Sequence, residues 1–441
     1  MFDINFLMKR FLLFALFVLL CTTVASAQIA PSEKTGNDRF AIKAQLFMGN
    51  YVSKSSNLER IDPSFPTGIN IGIEFPSSQQ RPWQQYLNNP TVGIGLSYIN
   101  LGADVMGQAI AMYPYIMING LRSEHFNIKV KLAAGLAAVS EWYYTTDTSE
   151  ENYGEATSNT TFATCINAYL SGGLNLEFPI TRNLTLNGEF GFFHMSNGRT
   201  KEPNKGANVL YGGVGVVAMI NPVAGDEREP VMFPDLPYNW SLNITASSGI
   251  HAADRTDAHR FLLLSMHVGA IYNTCNWHGI GLGADLFYND AIGNKETNRG
   301  MYVVTEDNWR RMRGGLSINN EFKFGRVTAM LDWGVYLFNP VRNLYSNDHP
   351  IYGTGPRPLF YKSESTGTDE AFHYIRFGVK YRICDNIYLQ ALAKTHMHIC
   401  ELIEFGVGYQ IPFLKKEHRN QSERLIHHQR KGWWKNYQKE M

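Results

Sequence analysis

Apolar and polar residues alternate with a period of two along most of the chain after residue 40. In the stretch 126–136, every second residue is apolar and the residues between them include lysine and asparagine. Because successive side chains of a β-strand point to opposite faces, this period predicts strands with one apolar and one polar face. The first half of the chain has eight such segments: 40–51, 68–75, 91–101, 108–118, 126–140, 164–178, 183–196 and 208–220.

The pattern stops at a polar stretch, 222–237, that is interrupted by prolines and contains four consecutive charged residues. It then returns, which indicates a second copy of the same architecture. The second half again has eight segments: 241–251, 261–272, 278–289, 313–322, 327–338, 372–383, 386–398 and 401–413.

Sixteen consecutive strands with one apolar face are typical of an all-β, antiparallel transmembrane β-barrel, whose apolar face meets lipid and whose polar face lines the interior. We expect two eight-stranded halves, because the linker separates them and because the interior positions of the first half are small. Those positions are Gly93, Gly95, Ser97, Gly213 and Gly215. One sixteen-stranded barrel is the alternative, since its strand count would be the same.

The ends of the chain carry different signals. Residues 1–27 resemble a cleavable signal peptide, with Lys9 and Arg10 before the apolar run 11–20 and small residues at 25–27. We therefore expect export to the bacterial outer membrane, a first half at 28–221, a periplasmic linker at 222–238, a second half at 239–413 and a basic periplasmic tail at 414–441. The formal net charge of +1 argues against nucleic acid as a partner.

One hairpin carries candidate chemistry. His194 and Ser196 end an apolar strand face, and the turn-rich run 197–206 connects this strand to the next one. Asn208 has the corresponding parity on that next strand, so pairing could bring it opposite His194. A hydroxyl, an imidazole and an orienting amide on one wall follow the logic of a hydrolase triad. A histidine and a serine near lipid headgroups are also tolerated without any catalytic role.

The motif FFHMSNG at 192–198, followed by Pro203, Asn204, Gly206 and Asn208, resembles outer-membrane lipid A 3-O-deacylases of the acyloxyacyl hydrolase-like family. The segments 66–86 and 394–409 extend the resemblance over most of the mature chain. It implies eight-stranded barrels with a lipid-facing Ser-His-Glu triad. It also implies that Ser196 is the nucleophile, that His194 is the base and that Asn204 stabilises an oxyanion. Asn208 departs from the family, because it stands where the family has glutamate.

The same short segment also resembles outer-membrane phospholipase A. The residues that match this second family are His194, Ser196, Asn197, Gly198, Arg199 and Asn208. A phospholipase of this kind could require calcium, but the loop 197–205 has few carboxylates besides Glu202. The deacylase mechanism itself needs no cofactor.

The sequence thus predicts an outer-membrane serine esterase that removes an ester-linked acyl chain from lipid A in the outer leaflet. The triad would be Ser196, His194 and Asn208, with Asn204 and the backbone at Asn197 and Gly198 as oxyanion donors. Phospholipase A and a non-enzymatic pore or structural barrel are the alternatives. The substrate partner is lipopolysaccharide or phospholipid, and the sequence does not indicate an oligomeric state. In the second half, an inward-facing network of Lys394, His396, His398 and Glu404 is expected to be structural, with a second active site as the alternative.

Overall fold

The computed structural model describes residues 40–52, 56–77, 81–123, 125–143, 159–220, 238–251, 260–291, 307–340, 372–396 and 399–414. The predicted signal peptide 1–27 lies outside these residues. The predicted linker 222–238 and tail 414–441 also lie outside them, apart from one residue each.

The first eight strands form a closed antiparallel barrel in which neighbours along the chain pair, and β1 closes the ring by pairing with β8. Helix α1 (Ser56–Ile61) lies between β1 and β2, and helix α2 (Pro82–Tyr86) lies between β2 and β3. The strands are β1 (Phe40–Tyr51), β2 (Thr67–Pro76), β3 (Thr91–Asn100), β4 (Gln108–Arg122), β5 (Asn127–Val139), β6 (Ile166–Pro179), β7 (Leu184–Ser196) and β8 (Ala207–Ile220).

A second closed barrel follows, in which β9 pairs with both β10 and β16. The prediction of two eight-stranded barrels is therefore confirmed, and the alternative of one sixteen-stranded barrel is wrong. Among the described residues, none of the helices has the length and apolar character that a membrane crossing requires. The strands are β9 (Tyr238–His251), β10 (Phe261–Cys275), β11 (His278–Asn289), β12 (Met312–Phe324), β13 (Val327–Phe338), β14 (His373–Arg382), β15 (Ile387–His396) and β16 (Ile399–Leu414).

The alternation in the sequence separates the two faces of each wall. On β1, the outward Leu46 is 64% exposed, whereas the inward Lys43 and Gln45 are buried. In a soluble protein such a wall of exposed aliphatic side chains would be unstable, but in a bilayer it is the lipid-contacting band. The transmembrane barrel predicted from the period of two is thus confirmed.

A buried carboxylate holds the interior of the first barrel together. Glu189 accepts from Lys43 Nζ at 2.7 Å and from Lys131 Nζ at 2.9 Å, and these three residues come from three different strands. Tyr211 Oη and Asn175 Nδ2 complete the set of donors to the same carboxylate. Because every lone pair of the buried charge is engaged, Glu189 cross-links β1, β5, β6 and β8 through β7.

Replacing Glu189 with alanine should destabilise the first barrel by about 3–5 kcal/mol, because it leaves two buried ammonium groups without their counter-ion. The free energy of unfolding of the refolded protein in detergent or lipid, measured by urea titration, is the readout. Glu177→Ala is the matched control, since its partner Lys129 is 12% exposed and water can solvate it. Equal destabilisation by the two substitutions would contradict the central role of Glu189.

The second barrel also has a charged interior, but its network differs from the predicted one at Glu404, and the predicted member His398 lies outside the described residues. Lys394 Nζ donates to Glu401 at 2.7 Å, and His396 Nε2 lies 3.5 Å from Glu401. Glu404 instead accepts from Arg376 at 2.9 Å. The register of β15 against β16 shifts between Lys394 and Thr395, and this bulge turns Glu401 inward and breaks the strict alternation on which the prediction relied.

Candidate active site

A tight turn begins the hairpin loop 197–206 that connects β7 to β8. Gly198 and Arg199 have φ values of +63° and +64°, and the N–H of Thr200 donates to the carbonyl of Asn197 at 3.4 Å. Two successive residues with positive φ are characteristic of a type I′ turn, in which glycine is favoured. This reversal returns the loop towards the end of β7, where His194 and Ser196 lie.

His194 and Asn208 are direct partners across the β7–β8 ladder, as the hairpin predicted. His194 Nδ1 and Asn208 Oδ1 are 2.8 Å apart. Because an amide oxygen can only accept, Nδ1 carries the proton in this arrangement and Nε2 has its lone pair free. Asn208 therefore fixes the imidazole in the tautomer that a general base requires.

Two donors converge on the hydroxyl of Ser196. Asn204 Nδ2 donates to Ser196 Oγ at 2.8 Å, and the N–H of Gly198 donates to the same oxygen at 3.1 Å. The N–H of Asn197 donates to Asn204 Oδ1 at 3.2 Å, which sets the direction of the Asn204 amide. A side-chain N–H and a backbone N–H thus already point at the place where an ester carbonyl would be attacked.

Gly206 lies against both the imidazole and the serine. A Cβ atom built on Gly206 would be 3.0 Å from His194 Cε1 and 3.4 Å from Ser196 Cβ. Among the described residues, no hydrogen bond joins His194 Nε2 to Ser196 Oγ, although the hydroxyl accepts from Asn204 and Gly198 and keeps its own O–H to donate. Catalytic hydrogen bonds are often made only when substrate binds, and rotation about the Cα–Cβ bond of Ser196 would redirect Oγ.

Glu202 organises the loop and was not predicted to be part of the site. Its carboxylate accepts from Arg199 Nε at 3.0 Å and from the N–H of Asn204 at 2.9 Å. The side chain of Asn197 donates to the carbonyl of Lys201 at 2.9 Å, so it stabilises the loop and does not reach Ser196. Of the three predicted oxyanion residues, Asn204 and Gly198 contact Ser196 Oγ and Asn197 acts on Asn204 through its backbone.

Ser196 is unusually well covered for a residue on the outward face. It is 7% exposed, whereas Phe190 and Phe192 on the same face of β7 are 59% and 37% exposed. The loop with Gly198, Asn204 and Gly206 lies over it. No group of three or more His, Cys, Asp or Glu side chains suited to a metal ion occurs in the described part of the chain.

Two family models match the chain, one for each barrel. Residues 67–216 match "Lipid A 3-O-deacylase (PagL)", and residues 240–353 and 359–414 match "Acyloxyacyl hydrolase, C-terminal domain". The hairpin that carries His194, Ser196 and Asn208 lies within the first match. No protein in a search of curated sequences matches the chain.

Solved structures of outer-membrane barrels are also similar. The crystal structure of the outer membrane enzyme PagL is 13% identical, with 39% of this chain and 97% of that chain covered and a TM-score of 0.25. Neisserial surface protein A is 11% identical, with coverages of 41% and 96% and a TM-score of 0.24. A mutant porin from Rh. blastica is 10% identical, with coverages of 84% and 100% and a TM-score of 0.16. Because the two family models together span most of the chain, the chain belongs to the outer-membrane lipid A 3-O-deacylase and acyloxyacyl hydrolase family.

Proposed function

We propose that the chain is an outer-membrane serine esterase that removes an ester-linked acyl chain from lipid A, the membrane anchor of lipopolysaccharide. Family membership supports a hydrolase that acts on lipid A. The observation that carries the proposal is the convergence of two N–H donors on Ser196 Oγ, at 2.8 and 3.1 Å, beside a histidine that an amide orients at 2.8 Å.

The reaction begins when His194 Nε2 takes the proton of Ser196 and Oγ attacks the ester carbonyl carbon. The carbonyl oxygen becomes an oxyanion, and the tetrahedral intermediate collapses as His194 returns the proton to the departing alkoxide of the sugar. The fatty acid is then held as an ester of Ser196. A water molecule, activated by the same imidazole, hydrolyses this acyl-enzyme and restores the free serine.

The donors that hold Ser196 Oγ in the resting state suit the oxyanion as well. When Oγ moves to attack, Asn204 Nδ2 and the N–H of Gly198 lose their acceptor and become available to the new negative charge. Such preorganised donors are worth about 10²–10³ in turnover each. Asn204 keeps its direction during this step because the N–H of Asn197 holds its oxygen.

The position of the triad suits a substrate that stays in the membrane. His194 and Asn208 lie on the outward face at one rim of the barrel, above the apolar side chains of Phe192 and Leu210. The long loops at that rim are expected outside the cell, which would place the site at the outer leaflet. A lipid could then reach Ser196 by lateral diffusion, without leaving the bilayer.

A pore function receives less support. The inside of the first barrel behind the triad is filled by an aromatic cluster in which Tyr113 and Tyr169 stack at 4.8 Å and Phe193 lies 5.7 Å from Tyr169. Charged pairs such as Lys394–Glu401 and Arg376–Glu404 cross the interior of the second barrel. Side chains that fill both interiors leave little room for a conducting channel.

The test is to incubate the purified, refolded protein with lipid A and, separately, with phospholipid, and to measure both lipids by mass spectrometry. We expect lipid A to lose one ester-linked acyl chain and phospholipid to be unchanged. Deacylated phospholipid would favour the phospholipase A alternative, and the reaction should then be repeated with calcium and with a chelator. Unchanged lipids together with channel conductance in planar bilayers would favour the pore.

A further inference from the structure

One residue of the second barrel is covered where its neighbours are not. Ile403, Phe405 and Val407 follow one another on the outward face of β16, and Phe405 and Val407 are 65% and 56% exposed. Ile403 is only partly exposed. Since all three belong to the same lipid-facing row, the difference means that another part of the protein lies over Ile403.

The covering element is the loop that holds Ser196. A Cβ atom built on Gly198 would lie 2.4 Å from both Cγ1 and Cδ1 of Ile403 and 3.6 Å from its Cβ. The Ile403 side chain therefore packs directly on the backbone of Gly198, and any larger residue at 198 would collide with it. The backbone gives a second reason for glycine at this position: φ of Gly198 is +63°, a conformation that glycine adopts without strain.

Other residues of the same loop also lie near the second barrel. Burial lowers the pKa of Lys201, and the positive charge of Arg260, next to the start of β10, lowers it further. At the opposite rim, Trp83 of α2 and Phe324 at the end of β12 are in edge-to-face contact at 6.1 Å. The two barrels thus meet at both rims, and the contact at the rim of Ser196 is made through the catalytic loop.

We propose that the second barrel completes the active site of the first, with Ile403 as a positioning residue that braces Gly198. The contact matters because the N–H of Gly198 is one of the two donors to Ser196 Oγ. Ile403 would act through the backbone of Gly198, against which it packs. It limits the movement of the turn 197–200, and so sets the distance from the Gly198 N–H to the reacting oxygen. This inference rests on the proposed serine-esterase function, which is tested separately below.

The main test compares Ile403→Ala with Val407→Ala, a matched control on the same face and strand that lies away from the loop. Misplacing a catalytic group by about 1 Å can lower turnover about 10²-fold. We expect Ile403→Ala to lower kcat about tenfold with KM nearly unchanged. The loss is smaller than 10²-fold because removal of the Ile403 side chain should shift the Gly198 N–H by less than about 1 Å. Ile403→Val, which keeps the γ-carbons of the contact and loses Cδ1, should restore most of kcat. Val407→Ala should match wild type.

A second readout does not depend on the identity of the lipid. The rate at which a fluorophosphonate labels Ser196 reports how well the serine is activated, and we expect the same order of variants. Heat-modifiable gel mobility verifies that each variant is folded. Equal kcat and equal labelling for Ile403→Ala and Val407→Ala would overturn the positioning role and leave the proposed function intact. Absence of both activity and labelling in the wild type would instead overturn the proposed function.

The contact itself can be tested by cross-linking. The Cβ–Cβ distance of 3.6 Å between positions 198 and 403 lies within the range that a disulfide spans. Gly198→Cys combined with Ile403→Cys, in a background with Cys400→Ser, should give a linked peptide pair by mass spectrometry after mild oxidation. Gly198→Cys combined with Val407→Cys and with Ile403→Ala, which removes the collision with position 198, is the control that should not link. A folded Ile403 pair that stays reduced would overturn the contact.

Discussion

Replacing Ser196 with alanine is expected to abolish deacylation, with a loss of about 10⁶-fold in turnover by comparison with the removal of a serine nucleophile elsewhere. The loss should be this large because, among the described residues, the hydroxyl that accepts from both Asn204 Nδ2 and the Gly198 N–H is that of Ser196. Turnover is measured as fatty acid released from lipid A in detergent micelles.

The barrel should remain folded in this variant. Alanine leaves two N–H donors without an acceptor at a site that is only 7% exposed, which costs about 1–3 kcal/mol for each unsatisfied group. Ser171→Ala is the matched control, since Ser171 lies on the neighbouring strand β6, faces inward away from the site and has a 3.4 Å contact with Tyr211 Oη. If Ser196→Ala retained wild-type turnover while folded, Ser196 would not be the nucleophile.

The strands could be predicted because the information for them is local. In each strand, apolar side chains face the lipid and polar side chains face the barrel interior. The resulting period of two therefore predicts all sixteen strands. How the strands close is not local. The pairings of β1 with β8 and of β9 with β16 join residues that are far apart in sequence. Nothing in the pattern of a single strand distinguishes these closures from one large ring.

Local reasoning failed where the backbone departs from regular geometry. Glu401 and Leu402 are both buried although they are adjacent, because a bulge in β16 places them opposite the same stretch of β15. The prediction therefore assigned Glu404 to Lys394, whereas Arg376 holds Glu404. A bulge depends on the register of two strands, so the hydrophobic period of one strand does not reveal it.

The candidate site was predictable in part for the same reasons. The pairing of His194 with Asn208 followed from strand parity and a short hairpin, both of which are local. Asn204 entered through the family resemblance, and the structure brings its amide to Ser196. Glu202 and Ile403 could not be foreseen, because Glu202 acts through the backbone of a tight loop and Ile403 comes from the other barrel.

Removing the side chain of Asn208 should lower turnover about 10³-fold, because a misoriented or wrongly protonated imidazole costs up to about 10⁴ in a serine protease. Asn208 Oδ1 lies 2.8 Å from His194 Nδ1 and selects the tautomer with Nε2 free. Without the amide, the ring can rotate and exchange tautomers. Leu210→Ala, two residues along on the same outward face of β8, is the control and should keep turnover within about a factor of a few.

Changing Asn208 to glutamate distinguishes two hypotheses. Either the site is a functional Ser-His-Asn triad, or it is a Ser-His-Glu site in which asparagine has replaced the carboxylate. The family has glutamate at this position, and a carboxylate would stabilise the imidazolium that forms during attack. Glutamate is longer than asparagine by one methylene, however, so its oxygen reaches the place of Asn208 Oδ1 only through a bent rotamer or a shift of the hairpin. The spacing of β7 and β8 here suits the shorter side chain, because the two residues are direct register partners already in hydrogen-bond contact.

We therefore expect Asn208→Glu to gain little over wild type on lipid A and Asn208→Ala to lose most of its activity. Turnover of wild type, Asn208→Ala and Asn208→Glu on purified lipid A and on phospholipid distinguishes the two interpretations. If Asn208→Glu raised turnover tenfold or more, the geometry of the site would be intact and the missing contribution would be a negative charge beside the imidazolium. Unchanged turnover of Asn208→Ala on both lipids would exclude Asn208 from the triad, and the 2.8 Å contact would then serve only to hold the hairpin together.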